Sequence, residues 1–549
     1  MTKRLQALLS SVFISALSFA QPALSWDQHY NGPPDQGDEA VSIAVDASGN
    51  SYVTGSAFAS NGTLDIVTIK YSPTGQQLWL QSYNGSANDN DQGRKIVLDA
   101  AANVYVTGYS KSANGNDITT IKYNTSGAQQ WVAVYDGAFH GYDEGNSVAV
   151  DANGNVFVTG FETSANQFFQ DMVTIMYNSA GTQQWANIYD GAGAANDYGV
   201  DIVNDGAGNT YAVGTSDTMY NSAPNNDIVL LKFNNSGTMV WRAVYGSPTY
   251  SYDIARRMCL DHSGNILICG YGGLVNQGNN YYTLKYNPSG SGLWVQFYNY
   301  STNTYEQPWD IIADSLDNVI VTGQGVTSSS SPTNDYVTVK YNSAGVFQWA
   351  SRYDGPAANN DYAYSVALDD SMNIYVTGTS KGLTGTQYDA ATVKYNPAGN
   401  QQYVLRYDNI AAHKDDAGND IAIHNGDIYV TGRSSNLTND DYVTLLYSYS
   451  SIGIQEQNDA VKSLNVFPNP STDEIHLALS AENLSSATYC YRVENAFGQE
   501  VKQGTAGISE SIGSVNSVNI GISDLRPGLY FITLYQDENP VGKARFIVR

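Results

Sequence analysis

Eight carboxylates occupy one position of a recurring stretch of sequence: Asp38, Asp91, Asp143, Asp197, Asp253, Glu306, Asp361 and Asp416. Each lies eight residues before the Asp, or in the last copy His424, that closes a short apolar run. A second series, Asp65, Asp117, Asp171, Asp227, Asp335, Asp389 and Asp441, with Asn280 in the fifth place, opens another run. Carboxylate oxygens are natural ligands of hard cations, so a ring of this kind is suited to Ca²⁺. It is equally suited to accepting backbone N–H bonds of its own loops, as an Asx turn does. A residue kept in every copy serves something every copy needs, which favours the second chemistry. No cofactor is therefore expected, with Ca²⁺ or another hard cation as the ion the pattern would accept.

Other chemistry is scarce. Gly378-Thr-Ser-Lys-Gly382 has the spacing of a nucleophile elbow, but that motif needs a strand-to-helix turn with His and acid partners, and Gly108-Tyr-Ser-Lys-Ser112 shows the repeat producing near-copies of it. The six His residues are scattered, none at metal-ligand spacing, and the three Cys residues are too few for a disulfide framework. Cys259 and Cys269 fall on the two arms of one expected hairpin, where they would either bond or pack as small core residues. Asp151-Ala-Asn-Gly-Asn155 starts like a calcium loop but lacks the later Glu, so it reads as a hairpin turn with Gly154 at positive φ. No catalytic residue is assigned.

The elements that position these residues follow from the repeat. An anchor glycine recurs at Gly55, Gly108, Gly160, Gly214, Gly270, Gly323, Gly378 and Gly432. Each copy holds four short alternating runs separated by turn residues, hence a four-stranded antiparallel sheet. Such a sheet cannot bury both faces alone; eight stacked around an axis do, giving an all-β, eight-bladed propeller. Trp26, Trp79, Trp131, Trp185, Trp241, Trp294 and Trp349, with Tyr403 in the seventh copy, mark the fourth strand, always 29 residues before the next anchor glycine, as from Trp26 to Gly55. The eighth copy lacks this strand, while the segment around Trp26 is an orphan fourth strand, so the N-terminal strand is expected to close the last blade.

The units resemble the bacterial β-propeller repeat (SBBP-type) family, centred on an AVDxxGNxYVTG core, over residues 26 to 450. Val466-Phe-Pro-Asn-Pro470 and Leu525-Arg-Pro-Gly-Leu-Tyr-Phe531 resemble the C-terminal sorting domain of type IX secretion cargo, the Por secretion tail. That resemblance implies a small β-sandwich over 463–549 with Pro468, Asn469, Pro470, Gly528 and Tyr530 as its sorting motif. It also implies the secretion machinery as partner, and a product released or attached at the outer-membrane surface. Lys3 and Arg4 ahead of an apolar run read as a signal peptide, 1–25, cleaved after 20 or 25; residues 451–462 read as a linker. With 52 acidic against 26 basic side chains, a net charge of -26, nucleic acid is excluded as a partner, and no later stretch is apolar enough to span a bilayer in the mature chain.

All length variation falls between strands two and three, and loops that vary on a rigid scaffold are where binding is usually placed. These loops carry Phe168, Phe169, Tyr220 and Tyr388, and the blade-to-blade crossovers on the same face add His140, Tyr142, Tyr250, Tyr252, Tyr305, Trp309 and Tyr364. Aromatic platforms beside Asn, Asp and Ser suit glycan or protein surfaces. The expectation is a secreted or surface-displayed binding scaffold and not an enzyme. The alternative is a secreted polysaccharide-active hydrolase or lyase using crossover acids and His140.

Overall fold

The computed structural model describes residues 21–549 apart from 193–194, 221–222, 247–251, 275–277, 301–303, 327–332, 384–386, 410, 450–461, 468, 479–488, 496–499, 513–514 and 537–538. The expected signal segment up to residue 20, most of the expected linker, and the candidates Tyr250 and Pro468 lie outside the described residues. The chain divides into two compact units, Met1–Tyr449 and Ser450–Arg549.

In the first unit, seven consecutive four-strand meanders cover residues 39–83, 91–135, 144–189, 197–245, 254–298, 307–353 and 361–407, here blades 1 to 7. Blade 8 is Asp416–His424, Asp427–Ser435 and Asp440–Ser448, completed by Ala23–Tyr30 from the other end of the unit. The ring is closed as the orphan strand requires. The closing strand starts three residues before the expected boundary at 26, because Ala23 and Leu24 pair with Ser448 and Tyr447.

The second and third strands explain the sequence pattern. Val156–Thr163 and Gln170–Tyr177 of blade 3 are buried along almost their whole length, on both faces. Hence their β-branched and aromatic residues pack against two neighbouring sheets. The core runs between blades: Tyr105 and Ile118 of blade 2 cluster with Val148, Val158 and Ile175 of blade 3. First strands are innermost, and each carries an irregularity of one extra residue, as between Gly145 and Ser147. The anchor glycine lies opposite this bulge, where a Cβ at Gly160 would stand 1.9 Å from the Glu144 carbonyl oxygen.

The fourth-strand tryptophans join blade to blade. Trp185 Nε1 donates to the Asn235 carbonyl of the next blade at 3.2 Å, and Trp79, Trp131, Trp241, Trp294 and Trp349 make the same bond to the turn ahead of them. The turn must have glycine there: Gly237 has φ +78° and its Cβ would lie 2.5 Å from Trp185 Cγ. Trp26 makes this bond across the closure, to Pro73. In the seventh copy Tyr403 meets Tyr449, hydroxyl to hydroxyl, at 2.9 Å.

The short turns between strands one and two are built by their aspartates. Asp151 Oδ1 accepts from the amides of Asn153 and Asn155, and Oδ2 from the Asn155 side chain, with Gly154 at φ +77°. Gly378 to Lys381 lie inside the strand Ile374–Lys381, which gives no elbow. Cys259 pairs with Leu267 and Cys269 with Arg257, so the two thiols are diagonal neighbours; both are free and packed into the core.

The second unit is a β-sandwich of a five-stranded and a four-stranded sheet around Ile475, Val493, Val518, Ile532 and Phe546. Of the expected motif, Asn469 Oδ1 accepts from the Ile547 amide at 2.9 Å. Tyr530 donates to the Arg526 carbonyl at 2.8 Å and stacks on Phe546, just beyond Gly528 at the start of its strand. Among the described residues no helix is long and apolar enough to cross a membrane.

Candidate functional site

The two-to-three loops and the crossovers share one face of the propeller, as antiparallel blades dictate, and the strands carry the expected residues to it in different ways. Phe168 is 84% exposed on its loop and Phe169 half-buried, both amides donating to Asn166. Tyr142, Tyr252 and Tyr305 take equivalent places, one residue before the crossover carboxylate. Each is held by a parallel pairing with the residue that leads into the third strand of the blade behind, and all three stay more than half exposed. His140 sits at φ +54° in a tight turn with Nδ1 2.7 Å from Asp136 Oδ2. Tyr220 ends a long second strand, paired with Ala223. Tyr388 belongs to the third strand, half-buried against Tyr362 and beneath Lys381.

Trp309 and Tyr364 depart from expectation. Both lie within first strands, Gln307–Ala313 and Asp361–Leu368, at the extra residue of the bulge, so they border the propeller axis and not the crossovers. Their rings meet edge to face at 6.0 Å. Arg256, the bulge residue of blade 5, lays its guanidinium 4.2 Å from the Trp309 ring and 5.1 Å from that of Tyr271. The bulge is near the start of the strand, so this ladder, Tyr271–Arg256–Trp309–Tyr364, stands at the mouth of the axis on the variable face.

Below it runs an axial cavity of about 450 Å³ lined by first-strand residues of all eight blades. The position after each bulge reads Ser42, Lys95, Ser147, Asp201, Arg257, Asp310, Ser365 and Asp420 around the ring. Here the copies differ in charge. The three aspartates tie blades together: Asp201 accepts from the Met258 amide at 2.9 Å, Asp310 from Val366 at 2.9 Å and Asp420 from Ile43 at 3.0 Å. Ser147 and Ser365 add hydroxyl bonds to them. Lys95 replaces an aspartate, with Nζ 4.0 Å from Asp420 Oδ2, and Arg257 replaces a serine. Burial opposes the Arg257 charge, but Asp201, Asp310 and Asp420 more than offset it and hold its pKa above the usual value. Sequence reasoning missed this ring; its signal was the one inward position at which the repeat changes charge.

The first carboxylate series is wholly buried, at most 1% exposed in all eight copies. Asp91 accepts from the amides of Gly85 and Lys111, Asp143 from Gly137 and Thr163, and Asp361 from Gly355 and Lys381, at 2.6–3.0 Å, so each carboxylate clamps its crossover to the end of the second strand. Burial pushes Asp38 and Asp197 up to about 6 and Asp416 to about 7 against these bonds. Asp253 and Glu306 are clamped through their own amides to the carbonyls of Asn226 and Asn279. Among the described residues, three sets of carboxylates, one being Asp171, Asp190 and Asp197, bring oxygens within 4.8 Å of one another.

Residues 465–549 match the family described as secretion system C-terminal sorting domain, and residues 351–383 match the β-propeller repeat. An uncharacterised WD repeat-containing protein of Acanthamoeba polyphaga mimivirus is 24% identical over 448 residues, 68% of this chain; the chain spans only 28% of that protein. Among solved structures, polysaccharide lyase Uly1 is similar at 10% identity and a TM-score of 0.41, over 75% of this chain and 90% of that one. The β-propeller domain of the Trilobed protease from Pyrococcus furiosus is similar at 7% identity and a TM-score of 0.38, over 67% and 96%. The sorting domain marks the protein for type IX secretion, so it is secreted or displayed at the outer-membrane surface and engages that machinery through residues 465–549.

Proposed function

We propose that this exported propeller is a binding protein whose ligand, a glycan or a protein surface, seats on the variable face over the mouth of the axis at blades 5 to 7. The observation that carries the reading is the Tyr271–Arg256–Trp309–Tyr364 ladder. Here the eightfold pattern gives way to a row of aromatic rings and a guanidinium, the guanidinium lying over two rings and the last two rings meeting edge to face. Stacked aromatic and cationic planes recognise sugar rings and planar side chains alike. Exposed Tyr252 and Tyr305 flank the same blades.

The engagement of the acids supports binding over catalysis. A hydrolase or lyase would need crossover groups such as His140, Asp143, Glu144 or Glu306 free to exchange protons. Of the acids, Asp143 is held by two amides, and Glu144 by Asn116 and Arg94. The axial aspartates are likewise spent on blade-to-blade bonds. A glycan and surface-protein array probed with the mature chain tests the reading. The expected result is a restricted set of ligands with no turnover of any polysaccharide; cleavage products, or an array without a hit, would overturn it.

A further inference from the structure

The residue that opens the third strand sits beside the crossover to the next blade, and at seven of the eight copies it has a partner from its own surroundings. Asp65 accepts from Ser82, Asp117 from Ser112, Asp227 from Asn225 and Asp441 from Asn436. Asn280 is bonded by Asn299. Asp335 pairs with Arg352 at 3.5 Å and Asp389 with Arg406 at 2.6 Å. Blade 3 is the exception. Asp171 is 8% exposed and has neither a hydrogen-bond donor nor a cation among the described residues; the charged groups beside it are Asp190, Asp197 and, across the strand pair, Glu162, which is itself bonded by Tyr135. Arg352 and Arg406 stand three residues after the fourth-strand Trp349 and Tyr403, and blade 3 has Ile188 at that place.

A buried carboxylate without a donor is costly, and two further carboxylates make it more so. One oxygen from each of Asp171, Asp190 and Asp197 lies within 4.8 Å of the others. Ligands on opposite sides of a calcium ion, each at about 2.3–2.6 Å, are separated by about that span, whereas Mg²⁺ demands bonds of about 2.1 Å and a stricter octahedron. Asp197 is already oriented by the Gly191 amide on Oδ2 at 2.8 Å. The two other triads differ: His140 stands on Asp136 of one and Arg352 beside Asp335 of the other. We propose that Asp171, Asp190 and Asp197 form a divalent-cation site of calcium size that closes the crossover from blade 3 to blade 4, the ion standing where Arg352 and Arg406 stand in blades 6 and 7. This inference is independent of the ligand at the axis.

The test is calorimetric titration of the chelator-stripped mature chain with CaCl₂ and with MgCl₂, alongside thermal unfolding. Calcium is expected to bind at least tenfold more tightly than magnesium and to raise the melting temperature. Asp190→Asn, a change at the exposed member, should weaken calcium at least tenfold, and Ile188→Arg should remove both the binding and the calcium-dependent shift while keeping the strand spectrum. Asp354→Asn should leave the calcium affinity unaltered. No calcium heat in the wild type, or calcium binding that survives both Asp190→Asn and Ile188→Arg, would overturn the proposal.

Discussion

Seven indoles joined to seven glycine turns set the mechanical character of the ring, and one residue suffices to test that. Gly237→Ala places a side chain at φ +78° and 2.5 Å from Trp185 Cγ. The left-handed backbone alone costs about 1–2 kcal/mol, and moving the indole off the Asn235 carbonyl adds to it. Denaturant titration should show a lower midpoint for this variant, while Gly62→Ala, also at positive φ but with open space around it, should lose only the backbone share. Equal losses for the two would mean that the Trp contact contributes nothing. These indoles were legible in the sequence, because a fixed 29-residue step ties each to an anchor glycine. The isolation of Asp171 was not: it depends on which side chains reach across from the neighbouring fourth strand, and Ile188, Arg352 and Arg406 occupy one place whose proximity only the fold reveals.

At the level of the strand, closure rests on Ala23–Tyr30, which pairs with Asp440–Ser448 from Ala23 through Tyr30. Signal cleavage after Ala20 keeps this strand whole, whereas cleavage after Ser25 would delete its first three residues and the Ser25–Ser448 side-chain contact. Mass analysis of the exported protein should therefore give Gln21 as its first residue. A chain engineered to begin at Trp26 should melt at a lower temperature; an unchanged midpoint would mean that the Ala23–Ser25 pairing does not matter. The closing strand itself was readable as a fourth strand without a blade. Its first residues were not, since Ala-Leu-Ser is as fitting for the end of a signal peptide as for a strand. Trp309 and Tyr364 were read as crossover residues because a bulge adds one residue to each first strand, shifting the point at which loop becomes strand.

Across the whole molecule, the surplus of acid makes stability depend on pH in two opposed ways. Turn aspartates such as Asp46, Asp99 and Asp205 resist burial, which would raise them, through Asn side-chain and amide bonds that leave their pKa values below the usual one, and Asp314 does so first through Lys340 and then through Asn318. Their contribution is present above the unfolded pKa and is lost as pH falls through the folded one. Burial does the reverse to Asp38, Asp117, Asp171 and Asp197, at about 6, and to Asp335 and Asp416, at about 7. There the folded state holds protons that the unfolded state has released, so stability falls as pH rises from about 4 to about 7. Thermal unfolding in chelator should peak near about pH 4 and decline on both sides; a midpoint still rising at pH 8 would contradict this assignment. The acid count was plain in the sequence, but its division into lowered turn groups and raised crossover groups follows from which backbone amides each carboxylate meets. The central claim, that ligand seats on the variable face at the axis, is tested most directly by surface plasmon resonance with the strongest array ligand. Wild-type chain is compared with a Trp309→Ala and Tyr364→Ala double variant, and with Asn153→Ala on the opposite face as the control. The account predicts at least a tenfold loss of affinity in the double variant and none in the control. Equal binding by all three, or a loss confined to Asn153→Ala, would contradict it.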